Sequence, residues 1–199
     1  MAFPHWEYFL TLDDDLERVS RYIEFVPDNF GTHSVELVRL TLAAASEIDV
    51  VAKSFCRTLN PDGMFKNIDH YREGIMTRYP GFATMKITVP RYGLVFEPWA
   101  CWASGQSPSW WRSYNDVKHQ RDLHYRDANL KNTLNTVSGL FALVLYYYQP
   151  HLYKHELVPW PKLLHLSTDH YKDFRFVGTY ILPDFGRSDA KPTSGTPTR

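Results

Sequence analysis

The stretch Ser34-Val35-Glu36-Leu37-Val38-Arg39-Leu40-Thr41-Leu42-Ala43-Ala44-Ala45-Ser46-Glu47-Ile48-Asp49-Val50-Val51-Ala52-Lys53-Ser54-Phe55 decides the fold class. Val35, Leu37, Val38, Leu42, Ala45, Ile48, Val51, Ala52 and Phe55 recur at the three- and four-residue steps that gather side chains on one broad helical face. Thr32 or Ser34 offers a hydroxyl to cap the start. The small run Thr41 to Ser46 lets another helix approach closely. Glu47 and Asp49 interrupt this apolar segment, so each is either on the outer face or paired with a cation from a neighbouring helix. Glu47 is thus a candidate partner for Arg112 or His119.

Upstream, residues 5–26 read as a first helix with Leu16, Val19, Ile23 and Val26 as its buried stripe and Thr11 and Asp13 as candidate caps. Asp13-Asp14-Asp15 is explained by the positive end of a helix dipole. Three consecutive helical residues point in three directions and do not converge on a metal. Downstream, Asn60-Pro61-Asp62-Gly63 is a turn, and a third helix runs from about Phe65 to Tyr79. The period then changes to that of two short strands around Pro90-Arg91-Tyr92-Gly93, a hairpin at about 85–97 that should lie against the helices.

Ser107-Pro108 opens a fourth helix to about Arg121. After a break at 123–126, a long fifth helix spans about Asp127 to Tyr148 and ends at Gln149-Pro150. Beyond 150, Val158-Pro159-Trp160-Pro161 excludes regular helix and Phe174 to Leu182 alternates like a strand. Residues 184–199 are small and polar and read as a disordered tail. The expectation is a mainly α protein: an up-and-down bundle of four or five helices forming a single domain over 1–183, with an inserted β-hairpin and an irregular C-terminal segment.

Lys plus Arg equal Asp plus Glu at 22 each, so no global basic field draws the chain to nucleic acid, and any such contact comes from a local patch. No apolar run is long enough to span a bilayer and no signal-peptide pattern opens the chain, which reads as cytoplasmic with no membrane partner. Cys56 and Cys101 make no disulfide framework and no zinc set, and both are expected to be buried thiols. His151, His155, His165 and His170 lack the further ligands of a convincing metal site, so neither metal nor other cofactor is expected.

The chemistry concentrates in Trp110-Trp111-Arg112-Ser113-Tyr114-Asn115-Asp116-Val117-Lys118-His119-Gln120-Arg121. At about 100° per helical residue, Arg112, Asn115 and His119 share one face. A permanent cation, an amide and an imidazole together suit a phosphate, without a metal. Tyr114, Asp116, Lys118 and Arg121 flank them as supporting residues.

Ser34-Val35-Glu36-Leu37 with Ser46-Glu47-Ile48-Asp49, then Trp111 through Arg121, then Ala128-Asn129-Leu130-Lys131-Asn132 opening the long helix, resemble bacterial proteins of the HEPN superfamily over roughly residues 8–150. The resemblance implies a dimeric four-helix bundle. It also implies a metal-independent endoribonuclease of a toxin, phage-defence or RNA-processing system, leaving 2',3'-cyclic phosphate ends. Its signature, an Arg followed after four to six residues by His, falls on Arg112 and His119, with Asn115 between them and Ser113 where the family often carries Asn, Asp or His. Arg121 is an alternative phosphate-binding cation, in the run Asn115-x-x-Lys118-His119-x-Arg121. RNA, a second copy of the chain and a regulatory protein such as an antitoxin are the implied partners. The competing expectation is a non-catalytic scaffold. In it Arg112, Asn115 and His119 form a buried network that fixes helix register, and Trp110, Trp160 and the hairpin form a docking surface.

Overall fold

The computed structural model describes residues 2–167 and, as backbone, two further strands at 175–177 and 180–182. Seven α-helices dominate these residues: α1 (Pro4–Val19), α2 (Val35–Leu59), α3 (Ile68–Arg78), α4 (Ser109–His119), α5 (Arg121–His124), α6 (Leu130–Tyr147) and α7 (Gln149–Leu152). Three short strands, β1 (Ile87–Val89), β2 (Leu94–Phe96) and β3 (His165–Leu166), form an antiparallel sheet in the order β2-β1-β3. The strands β4 (Arg175–Val177) and β5 (Tyr180–Leu182) pair with each other, so the alternation over 174–182 belongs to a hairpin rather than to one strand. The tail 184–199 lies outside the described residues.

The expected bundle is built around α6. Thr136 through Tyr146 are buried without interruption, so this helix is apolar on every side and sits at the centre instead of presenting one stripe. Its most extensive packing is with α2. Between the two helices the hydroxyls of Thr41 and Thr133 meet at 2.9 Å in a fully buried site, each supplying the partner the other needs away from water. From α1, the Phe9 ring stacks on Phe141 with centroids 4.7 Å apart, and Trp6 flanks the pair. One continuous core joins residues from Phe3 to Leu166.

The caps follow side-chain chemistry. Ser34, in extended conformation, accepts the Leu37 N–H at 3.2 Å and starts α2, while Asn67 and Asn129 do the same for α3 and α6. Ser34→Ala is expected to cost about 1 kcal/mol, the usual worth of such a cap. A fall of some degrees in thermal midpoint checks it, and no change would show that the N–H finds water instead. In the hairpin, Gly93 takes a left-handed φ of 64° after the Pro90–Tyr92 turn, a conformation an L side chain adopts only at a cost.

Several expectations change. The first helix stops at Val19, because Ser20 to Phe25 turn back and bury Phe25; the spacing of Ile23 and Val26 is not helical. Asp13 caps nothing. It lies in the body of α1, 1% exposed, and accepts the backbone N–H groups of Lys162, Leu163 and Leu164 at 2.8, 3.1 and 3.0 Å. Thr11 likewise hydrogen-bonds back to Glu7 within the helix. The long helix stops at Tyr147, just before Gln149-Pro150 as expected, but the short α7 (Gln149–Leu152) that follows was not foreseen. Cys56 is buried, which pushes its thiol up to about 12, but Cys101 is exposed. No helix among the described residues is long and apolar enough to cross a membrane.

Candidate functional site

Helix α4 is held by its aromatic face. Trp110, Trp111, Tyr114 and Val117 are buried, and the Trp110 Nε1 donates to the Pro98 carbonyl at 2.8 Å. Trp110 is therefore an anchor of the core, not a docking residue; Trp160, at 41% exposed, covers Trp6 and Phe141. With that face fixed inward, Arg112, Asp116, Lys118 and His119 are turned to solvent and Asn115 is half-buried. Arg112 and His119 differ by only about 20° around the axis but stand about 10 Å apart along it.

Solvent exposure rules out the register-fixing network, since neither the Arg112 guanidinium nor the His119 imidazole is enclosed. The Asn115 amide donates to the Trp111 carbonyl at 3.0 Å, within the helix. Tyr114 is 4% exposed and supports Lys118, whose ammonium lies 5.4 Å from the ring centroid.

At Gln120 the helix ends and the chain turns into α5, so the last residues of α4 and the first of α5 form two walls of an open cleft of about 620 Å³. Lys118, His119, Arg121, Asp122 and Tyr125 line it. Arg112 is outside that lining, two turns up the same face. The cations that share this lining with His119 are Lys118 and Arg121, so the cleft gathers two fixed positive charges against one carboxylate. Tyr125 is braced by the edge of His33, centroids 5.8 Å apart. The loop bearing His33 is tied to the start of α6 by Leu130 N–H to Thr32 O at 2.8 Å.

Glu47 is elsewhere. Its carboxylate meets His5 Nδ1 at 2.5 Å on the α1 side of α2, and Asp49 accepts the Tyr71 hydroxyl at 2.9 Å. Glu47 thus has a partner on a neighbouring helix, but it is His5 in place of Arg112 or His119, and Asp49 is met by a phenol hydroxyl where a cation was expected. Asp116 groups with His124 and Asp127. Asp122, Tyr125 and His33 escaped the sequence reading, because residues 123–126 look like a break when in fact 121–127 fold into α5 and a 3-10 turn. Their only sequence signal is the crowding of polar and aromatic residues between two helices.

The chain matches no protein-family model, no curated protein and no solved structure.

Proposed function

We propose that the exposed end of α4 binds RNA and cleaves it without a metal ion, with His119 as the proton-transferring group. The observation that carries this reading is the grouping at the helix end: His119 is exposed and flanked by Lys118 and Arg121 along a shallow surface depression that is wide open to solvent. His119 takes the proton of a ribose 2'-hydroxyl, whose oxygen attacks the adjacent phosphorus. The 5'-oxygen leaves and takes a proton from water, and His119 returns its own proton to solvent, giving a 2',3'-cyclic phosphate and a 5'-hydroxyl. Arg121 and Lys118 hold the phosphate and stabilise the charge that grows on its oxygens. Arg112 and Asn115, on the same face, extend the contact along the strand. A second copy facing this one across a twofold axis would double the local positive potential that the net charge of zero does not supply. A role in toxin or phage-defence systems is the biological setting that the family resemblance suggests.

Binding is tested apart from cleavage. Affinity for a short single-stranded RNA should fall with salt, and Arg121→Ala or Lys118→Ala should each weaken it and lower the logarithmic salt slope by about 0.7, the value for one lost phosphate contact. An affinity indifferent to both changes would remove the cleft from the reading.

A further inference from the structure

Behind the cleft, the carboxylates of Asp116 and Asp127 and the imidazole of His124 converge, each offering a ligand atom within 4.8 Å of the others. They come from three successive elements: the last turns of α4, the end of α5, and the 3-10 turn that follows. Ions bound by carboxylate and imidazole sit about 2.0–2.2 Å from each ligand, so ligand atoms around one ion are about 3–4.4 Å apart. Small side-chain rotations bring this trio into that range.

The frame around the trio is fixed. The Asn132 side-chain amide donates to the Asp127 carbonyl at 2.9 Å and to the Ser113 hydroxyl at 3.1 Å, tying the 3-10 turn to the body of α4 from the core side. That link sets the turn bearing Asp127 against the helix bearing Asp116. His124 Nδ1 lies 2.8 Å from Asp127, and among the described residues the Asp116 carboxylate has no lysine or arginine partner. Two carboxylates thus face one imidazole with no fixed cation between them.

We infer that Asp116, His124 and Asp127 form a binding site for one divalent first-row transition ion. Two oxygen ligands with one imidazole suit Mn2+ or Zn2+ better than a soft ion. Three protein ligands on an open surface leave the remaining positions to water. The site is independent of the RNA reading, and no step of the proposed cleavage passes through the ion.

Mn2+ is the probe, because it favours oxygen ligands and so discriminates against stray histidines. Titration of the full-length protein with Mn2+, followed by loss of the free-ion electron paramagnetic resonance signal and without RNA, should show one saturable site per chain. Zn2+ should displace the bound Mn2+. Asp116→Asn and Asp127→Asn should each weaken binding by at least about 10- to 100-fold, the loss that removing even an outer hydrogen-bond partner causes. His70→Ala, which removes an imidazole on α3 outside both the trio and the cleft, should leave binding unchanged. Asp116 is exposed, so its variant should fold with an unaltered circular dichroism spectrum. No saturable binding to the wild-type protein, or equal binding by Asp116→Asn, would overturn the inference.

Discussion

His119→Ala should lower RNA cleavage by about 10² to 10⁴, the range typical of a lost proton-transfer group, and leave the fold intact. Exposure makes the second half of that expectation firm: surface substitutions usually shift stability by no more than about 0.5 kcal/mol. The comparison with Arg121→Ala separates roles. A cation that holds the phosphate and grips it more tightly as charge grows in the transition state affects RNA affinity and turnover together, whereas the proton carrier affects the chemical step alone. Single-turnover cleavage at saturating enzyme reads the second quantity directly. Equal rates for wild type and His119→Ala would take the imidazole out of the chemistry, whatever the binding data say.

The largest expected effect on stability lies far from the cleft. Asp13 is buried in α1 and accepts three consecutive backbone N–H groups, at Lys162, Leu163 and Leu164. Those donors stand on an irregular segment and have no strand of their own to satisfy them before β3 begins at His165. Asp13→Ala leaves all three without an acceptor in a dry site, at about 1–3 kcal/mol for an orphaned group. Allowing for partial entry of water, we expect a total near 3 kcal/mol, measured by urea denaturation. A loss below about 1 kcal/mol would mean that the 162–164 segment is held by other contacts.

The pH dependence has a sign. Burial pushes the Asp13 carboxyl above its ordinary value of 3.8, outweighing the N–H groups and opposing them. A group whose folded pKa is raised keeps its proton to higher pH in the folded state, so its stabilising contribution is full below the unfolded value and declines as pH rises through the folded one. The gap between wild type and Asp13→Asn should therefore be widest near pH 4 and narrow towards neutrality. A gap that widens with pH would contradict the assignment.

The bundle could be read from the sequence wherever one element carries its own signal. Helix α2 has both a cap and twenty residues of unbroken periodicity, and α6 has a long apolar run closed by proline, so each was placed to within a few residues. Features made by distant partners could not be read this way. Nothing around Asp13 marks it as an acceptor, because its donors lie about 150 residues on. Two residues of β3 are too few for a strand signal, although they complete the sheet over β1. In α1, the apolar spacing continues past Val19 because Phe25 enters the core from a turn, and periodicity cannot distinguish that from another helical turn.

The same division applies to the site. His119, Lys118 and Arg121 were legible as a cationic helix end. The cleft itself was not, since its far wall, Asp122 and Tyr125, belongs to a short helix whose sequence reads as a break. Spacing placed Arg112 and His119 on one face correctly in angle but could not say that the open depression beside His119 does not include Arg112. Asp116 shows the reverse case: counted as a neighbour of the Arg, it stands with His124 and Asp127, which the turn after α5 brings around.

The central claim is that a water-accessible imidazole at the end of α4, aided by the cations beside it, cuts RNA through its own 2'-hydroxyl. Its most direct test is the chemistry of the ends produced when the wild-type protein meets single-stranded RNA in EDTA. The account predicts 2',3'-cyclic phosphates and 5'-hydroxyls; intact RNA under these conditions, or fragments bearing 3'-hydroxyls and 5'-phosphates, would contradict it.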